Sequence, residues 1–164
     1  MSEASIPLVL TVYSRDGQYQ LRGQPGEENP WSDPVYGLFV GGDNWVTILC
    51  GTEWGPVAVT VHVHRAAPDQ VDRAWDMAAE WTLDCGDGQL DLRELYVADT
   101  PTRIMVPAGW VRLRVSVRGR HEAVSHGEPI TEAIEQHLLE VWPVDDHLEP
   151  TELYGPDSMA PLLG

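Results

Sequence analysis

The most regular pattern in the chain is Trp-Val-Arg-Leu-Arg-Val-Ser-Val-Arg-Gly-Arg, from Trp110 to Arg120. Read with period two, Val111, Leu113, Val115 and Val117 face one way, and Trp110, Arg112, Arg114, Ser116, Arg118 and Arg120 face the other. The segment is a strand with one buried side and one Arg-bearing side. Pro56 to His64 alternates as cleanly, with Val57, Val59, Val61 and Val63 inward and Ala58, Thr60, His62 and His64 outward.

Shorter runs of the same kind fill most of the chain. Ile6 to Ser14 predicts a first strand, with Leu8, Leu10 and Val12 on one side. The turn signal Arg15-Asp16-Gly17 then leads into a return strand, Gln18 to Arg22. Pro25, Gly26, Asn29, Pro30 and Pro34 make a loop of Gln24 to Pro34, with Trp31 inside it. Tyr36 to Val40 and Trp45 to Cys50 are strand-like around a Gly41–Asn44 turn, and Gly51 to Pro56 turns again with Trp54 at its tip. Ala74 to Trp81 has helical propensity, but Trp81 to Cys85 reads as strand, because Gly86-Asp87-Gly88 and the alternating Gln89 to Leu95 complete a hairpin. Val97 to Thr102 is a loop, Arg103 to Val106 a short strand, and Pro107-Ala108-Gly109 a turn. His121 to Glu128 is expected to be a polar loop, and Ile134 to Val144 the last strand. Many short strands separated by turn signals predict an all-β fold, an antiparallel β-sandwich or jelly roll in a single domain spanning residues 1–143. Residues 144–164 are expected to form an acidic, Pro-containing tail, irregular and packed through Leu153, Tyr154 and Leu162. The Arg-bearing strand and the strand after it are natural neighbours, which would put Glu140 or Glu135 opposite an Arg.

Charge changes this picture most. The formal net charge is -16, with 26 acidic residues against 10 basic ones, every one of the latter an Arg. Nucleic acids and anionic membranes should be repelled, and a basic partner attracted in a salt-dependent way. Seven Trp and five Tyr against one Phe are aromatics with a polar handle, suited both to capping a β-core and to binding surfaces. No run approaches the length of a membrane span, and Met1 to Ile6 lacks a basic, apolar leader, so a cytoplasmic location is expected. Two cysteines, Cys50 and Cys85, make no disulfide framework; a bridge between them and two separate buried thiols both fit the sequence.

Candidate chemistry is sparse. His62 and His64 form a His-x-His pair on one strand face, a spacing that can chelate a metal, but Arg65-Ala-Ala-Pro68 supplies no third ligand, so exposed strand histidines and no metal are expected. Asp84 to Asp91 has acidic spacing that a Gly-rich hairpin turn explains without calcium. Nucleophile elbow, reactive cysteine motif and phosphate-binding glycine loop are all missing, so neither catalysis nor a cofactor is expected.

The order of features is suggestive: Trp31-Ser-Asp33, Gly-rich turns, the Val-alternating strand, Trp81-Thr-Leu-Asp84, Leu90-Asp-Leu92, and Ile104-Met-Val-Pro-Ala-Gly-Trp110 entering the long strand. From about Ile6 to about Trp142 this pattern resembles the competence protein ComJ family, inhibitors of a DNA-entry nuclease. The resemblance implies a non-enzymatic acidic inhibitor that blocks a basic partner, a nuclease or a toxin. The extended Arg strand, the Glu135–Pro143 strand and the acidic tail depart from the family pattern, so no contact residue is carried over. Independently of it, loop carboxylates and exposed Trp are the natural contacts for a basic cleft: Glu27, Glu28, Trp31, Asp33, Asp43, Trp54, Asp145 and Asp146. The alternatives are a small-molecule or carbohydrate-binding jelly roll using Trp faces and the His62/His64 surface, and an assembly module pairing through a strand edge.

Overall fold

The computed structural model describes residues 6–24, 33–97 and 100–163. Among the described residues, eleven strands form two stacked sheets, accompanied by two short helices. The first sheet contains β1 (Leu8–Ser14), β5 (Gly55–Val63), β10 (Gln136–Pro143), β9 (Trp110–Arg118), β6 (Met77–Asp84) and β11 (Thr151–Tyr154), in the order β1-β5-β10-β9-β6-β11. The second is β3-β4-β2-β7-β8, from β3 (Phe39–Gly41), β4 (Trp45–Leu49), β2 (Gln18–Arg22), β7 (Gln89–Glu94) and β8 (Thr102–Met105). All pairings are antiparallel except β5 with β10. This is the β-sandwich that the strand pattern predicts.

The alternation sets the core. Val57, Val59 and Val61 of β5, Leu139 and Val141 of β10 and the four apolar residues of β9 face Tyr19, Leu21, Val46, Ile48, Leu90 and Leu92 of the other sheet. Phe39 meets Trp81 across the gap at 5.3 Å between ring centroids. Each such buried side chain contributes about 1.5–3 kcal/mol, so the long strands β5 and β9 anchor the sandwich.

The outer, Arg-bearing face of β9 is not open. Arg112 and Arg114 are buried and share one carboxylate, Glu80 of β6, at 3.1 and 2.9 Å. Carbonyls of Leu148 and Glu149 accept from Arg112, and that of Gln70 from Arg114. Arg114 also lies over the Trp142 ring. Glu140 stands directly opposite Arg114 in register, yet Arg114 turns to the other neighbour. The Arg row is thus a structural ladder.

Three expectations need correction. Arg120 does not stay on the outer face with Arg118: Gly119 takes a left-handed conformation (φ 83), and the chain turns Arg120 fully inward. From there Arg120–His126 forms α1 where a polar loop was expected, with Ala123, one turn on from Arg120, buried beneath it. The segment after Val144 is not wholly irregular either. Thr151–Tyr154 pairs with β6 as the sheet's edge strand, and α2 (Ala160–Leu163) crosses to the second sheet, where Leu163 packs against Val40, Trp45 and Leu49. Asp157, between the two, grips Arg120 through both oxygens at 2.7 and 2.8 Å. Cys50 and Cys85 are buried free thiols.

Candidate functional site: an acidic end and a sealed end

Because β4, β6, β9 and β10 run nearly the full length of the sandwich, the loops separate into two groups. At the first end lie the starts of β4 and β9 and the ends of β6 and β10. Here the Gly41–Asn44 turn meets the Cys85–Gly88 turn, since the Asp84 N–H donates to the Asp43 carbonyl at 2.7 Å. The segment after β10 joins them, the Val144 N–H donating to the Trp110 carbonyl at 3.1 Å. His147 links the set. Its N–H donates to the Asp146 carboxylate at 2.8 Å, its ring lies 3.5 Å from the Asp43 carboxylate, and that ring packs edge-on against Trp110.

Three of the residues that the sequence singled out, Asp43, Asp145 and Asp146, therefore come together at one end, all exposed. Asp84 and Asp87 of the neighbouring hairpin add to the same end, Asp87 exposed and Asp84 half-buried with its carboxylate capping the Gly86 N–H. Trp110 and His147 supply a partly exposed ring pair among the carboxylates. The sequence reading did not single these four out as contacts, because Asp84 meets Trp110 only through the pairing of β6 with β9, and His147 reaches Trp110 from a distant part of the chain.

Among the described residues, two of the other candidates show no contact with this cluster. Trp54, 38% exposed, sits at the opposite end on the β4–β5 turn, stacked on Tyr96. Asp33 is exposed two residues before Val35, which bridges to Phe39 of β3. Glu27, Glu28 and Trp31 lie outside the described residues.

The opposite end contains a buried polar network that the sequence reading missed. Glu135 receives the backbone N–H groups of Gly51 and Thr52 and the Thr52 hydroxyl on one oxygen, at 2.8–3.0 Å. Its other oxygen meets His137 Nε2 at 2.5 Å, and the remaining ring nitrogen meets the Tyr19 hydroxyl at 2.7 Å. Burial alone would raise the Glu135 carboxyl, but the charge and hydrogen bond of His137 and the donors of Thr52 outweigh it and hold it below its ordinary value. Cys50 completes the group, with its sulfur, a His137 nitrogen and a Glu135 oxygen all within 4.8 Å.

A Cys, a His and a carboxylate at this spacing resemble a nucleophile with its base, or three metal ligands. Neither role fits. Burial pushes the Cys50 thiol well up, away from the reactive thiolate, and Tyr19, Glu135, His137 and Cys50 have at most 3% exposure. Both ring nitrogens of His137 and both oxygens of Glu135 are already engaged. The network closes this end of the core. One signal was available: Glu135, just before β10, shares a parity with His137, Leu139 and Val141 within it, so a Glu and a His lie on the apolar side.

The described groove between β1, β7 and the following loop has a volume of about 530 Å³ and is lined by Leu10, Thr11, Glu94, Tyr96 and neighbours, with no Trp. Among the described residues, no helix is long and apolar enough to cross a membrane.

The fold and its acidic end define a class, an all-β sandwich with convergent acidic turns. Neither a family model nor a curated protein matches the sequence. Two solved structures share the fold. ComJ from Bacillus subtilis, described as an inhibitor of the DNA-degrading activity of NucA, superposes with a TM-score of 0.57 at 8% identity, over 88% of this chain and 99% of that one. The product of crocagin biosynthetic gene J superposes with a TM-score of 0.53 at 12% identity, over 84% of this chain and 95% of that one. The structural likeness to ComJ thus agrees with the resemblance seen in the sequence.

Proposed function

We propose that this protein is a non-enzymatic, cytoplasmic inhibitor or immunity-type protein that blocks a basic partner, a nuclease or a nuclease-like toxin. The observation that carries the reading is the convergence of Asp43, Asp145 and Asp146, with Asp84 and Asp87, around the Trp110–His147 ring pair at one end of a ComJ-like sandwich. Carboxylates held on rigid turns offer the charge pattern of a nucleic-acid backbone to the Arg and Lys side chains of a nuclease cleft. The ring pair supplies the apolar contact at the centre that such interfaces use as an anchor. Inhibition is then steric: the end of the sandwich fills the cleft and excludes the polyanion.

The test is capture of the partner from a lysate of the protein's own source, followed by a nuclease assay. A basic protein released by moderate salt, whose DNA cleavage stops on addition of stoichiometric inhibitor, is the expected result. A captured protein without nuclease activity, or one whose cleavage continues, contradicts the reading. The ligand-binding alternative draws little support, since Trp45, Trp81 and Trp142 are buried in packing and the β1–β7 groove has no Trp in its lining.

A further inference from the structure

The His62/His64 pair gains from the fold the third ligand that its own strand lacks. β10 lies parallel to β5, and the register places Glu140 directly opposite His62. The Glu140 carboxylate reaches His64 Nε2 at 2.8 Å, and the His62 and His64 rings lie 4.0 Å apart between centroids. All three side chains are on the outer face of the first sheet and partly exposed, His64 and Glu140 at 22% and 14%, so an ion can reach them.

Glu140 is free for this role because of its other neighbour. Arg114 stands opposite it on β9, yet Arg114 is committed to Glu80 at 2.9 Å and to the Trp142 ring. The Glu140 charge is therefore directed to the histidines.

We propose that His62, His64 and Glu140 form a binding site for a divalent transition-metal ion of the zinc type. Two imidazoles and one carboxylate are a borderline donor set that favours Zn²⁺, Ni²⁺ or Cu²⁺ over calcium or magnesium. Ligand atoms about 2.0–2.1 Å from a tetrahedral zinc lie roughly 3.3 Å from one another, so the His64–Glu140 contact need open only slightly to admit the ion. The ligand atoms of the three residues do not all stand within 4.8 Å of one another, so the third bond requires the partly exposed His62 ring to turn toward the other two. The fourth position points to solvent and stays open to water or to a donor group from a partner. The site lies on the sheet face beside the acidic end, since Arg65, which follows His64, lines a groove with Asp145 and Asp146, but its ligands are other residues and it does not depend on the inhibitor reading.

Titration of the protein with zinc chloride, followed by calorimetry at pH 7.5, tests the site. One ion per chain is expected, with binding weakened at least ten-fold by His62→Ala or by His64→Ala. Thermal melts of each variant check folding, and His62→Gln, which keeps a polar side chain of similar reach, must weaken binding too. Absence of heat above dilution, or binding unchanged in the His62 variants, overturns the proposal. Cobalt substitution provides a second readout: a thiolate-to-cobalt charge-transfer band would put the ion at Cys50 and also overturn it.

Discussion

At one end of the sandwich Glu135 is buried and Asp157 half-buried, each with its oxygens occupied by named donors; at the other, Asp43, Asp145 and Asp146 stand in solvent, Asp43 and Asp146 in contact with one histidine. The same functional group does opposite work in the two places. A buried carboxylate has lost its water and is favourable only while its partners remain, so it holds the fold and cannot recognise anything else. An exposed one adds little to stability and remains available to another molecule. In a chain of net charge -16, the acidity that the proposed function draws on is the part that the fold leaves exposed.

The sharpest way to break this comparison is at Asp157. Its replacement by Ala strands Arg120 in a site with 0% exposure, with only the Gly37 and Leu49 carbonyls and the Met77 sulfur as remaining partners. A loss of about 3–5 kcal/mol in denaturant unfolding is expected. The C-terminal segment that bridges the two sheets should then lose its amide-exchange protection. A loss below 1 kcal/mol would mean that the pair is not a lock.

Glu135→Gln removes the charge but keeps one carbonyl for the Gly51 and Thr52 amides, and should cost about 1–3 kcal/mol. It also carries a pH signature. Glu135 and Asp157 are both held below their ordinary values of 4.5 and 3.8, Glu135 by His137 and Thr52, and Asp157 by Arg120, each against the opposing effect of burial. A carboxyl depressed in the folded state contributes stability above its unfolded value and loses it as pH falls through its folded value. Stability should therefore drop as pH falls from about 4.5 downward. The Glu135→Gln variant should show a shallower acid slope than the parent, measured by urea midpoints from pH 6 to 3. An unchanged slope would remove Glu135 from the account.

The comparison also explains what was readable in the chain. Alternation in β5 and β9 is a local signal, so the strands, their inward faces and the sandwich class followed from sequence. The pairing of Asp43 with His147 joins residues 104 positions apart by sequence number and depends on how two sheets stack; no local pattern reports it. The inward turn of Arg120 failed for another reason. Period two carries a residue to the outer face only while the strand continues, and Gly119 ends it. The helix beyond was hidden because only Arg120 and Ala123 of its seven residues are buried, and one of those is a charge. Glu135 and His137 were legible in principle, as polar residues in the apolar phase of β10.

Charge reversal at the acidic end, Asp43→Lys with Asp145→Lys and Asp146→Lys, should leave thermal stability almost unchanged, within about 0.5 kcal/mol, since these are surface positions. The smallest effect is expected at Trp54. Trp54→Ala removes a stack on exposed Tyr96, at the end away from the acidic turns, and should alter partner binding less than two-fold by surface plasmon resonance. A ten-fold loss would move the contact surface to the sealed end.

The most direct test of the central claim is the association rate of the captured basic partner with the parent protein and with the triple Lys variant, across a series of salt concentrations. The account predicts a fast rate for the parent that falls steeply with salt, and a rate for the variant at least ten-fold slower at low salt and nearly flat with salt. Equal rates and equal salt slopes for the two proteins would contradict it, and would mean that the acidic end is not where the partner arrives.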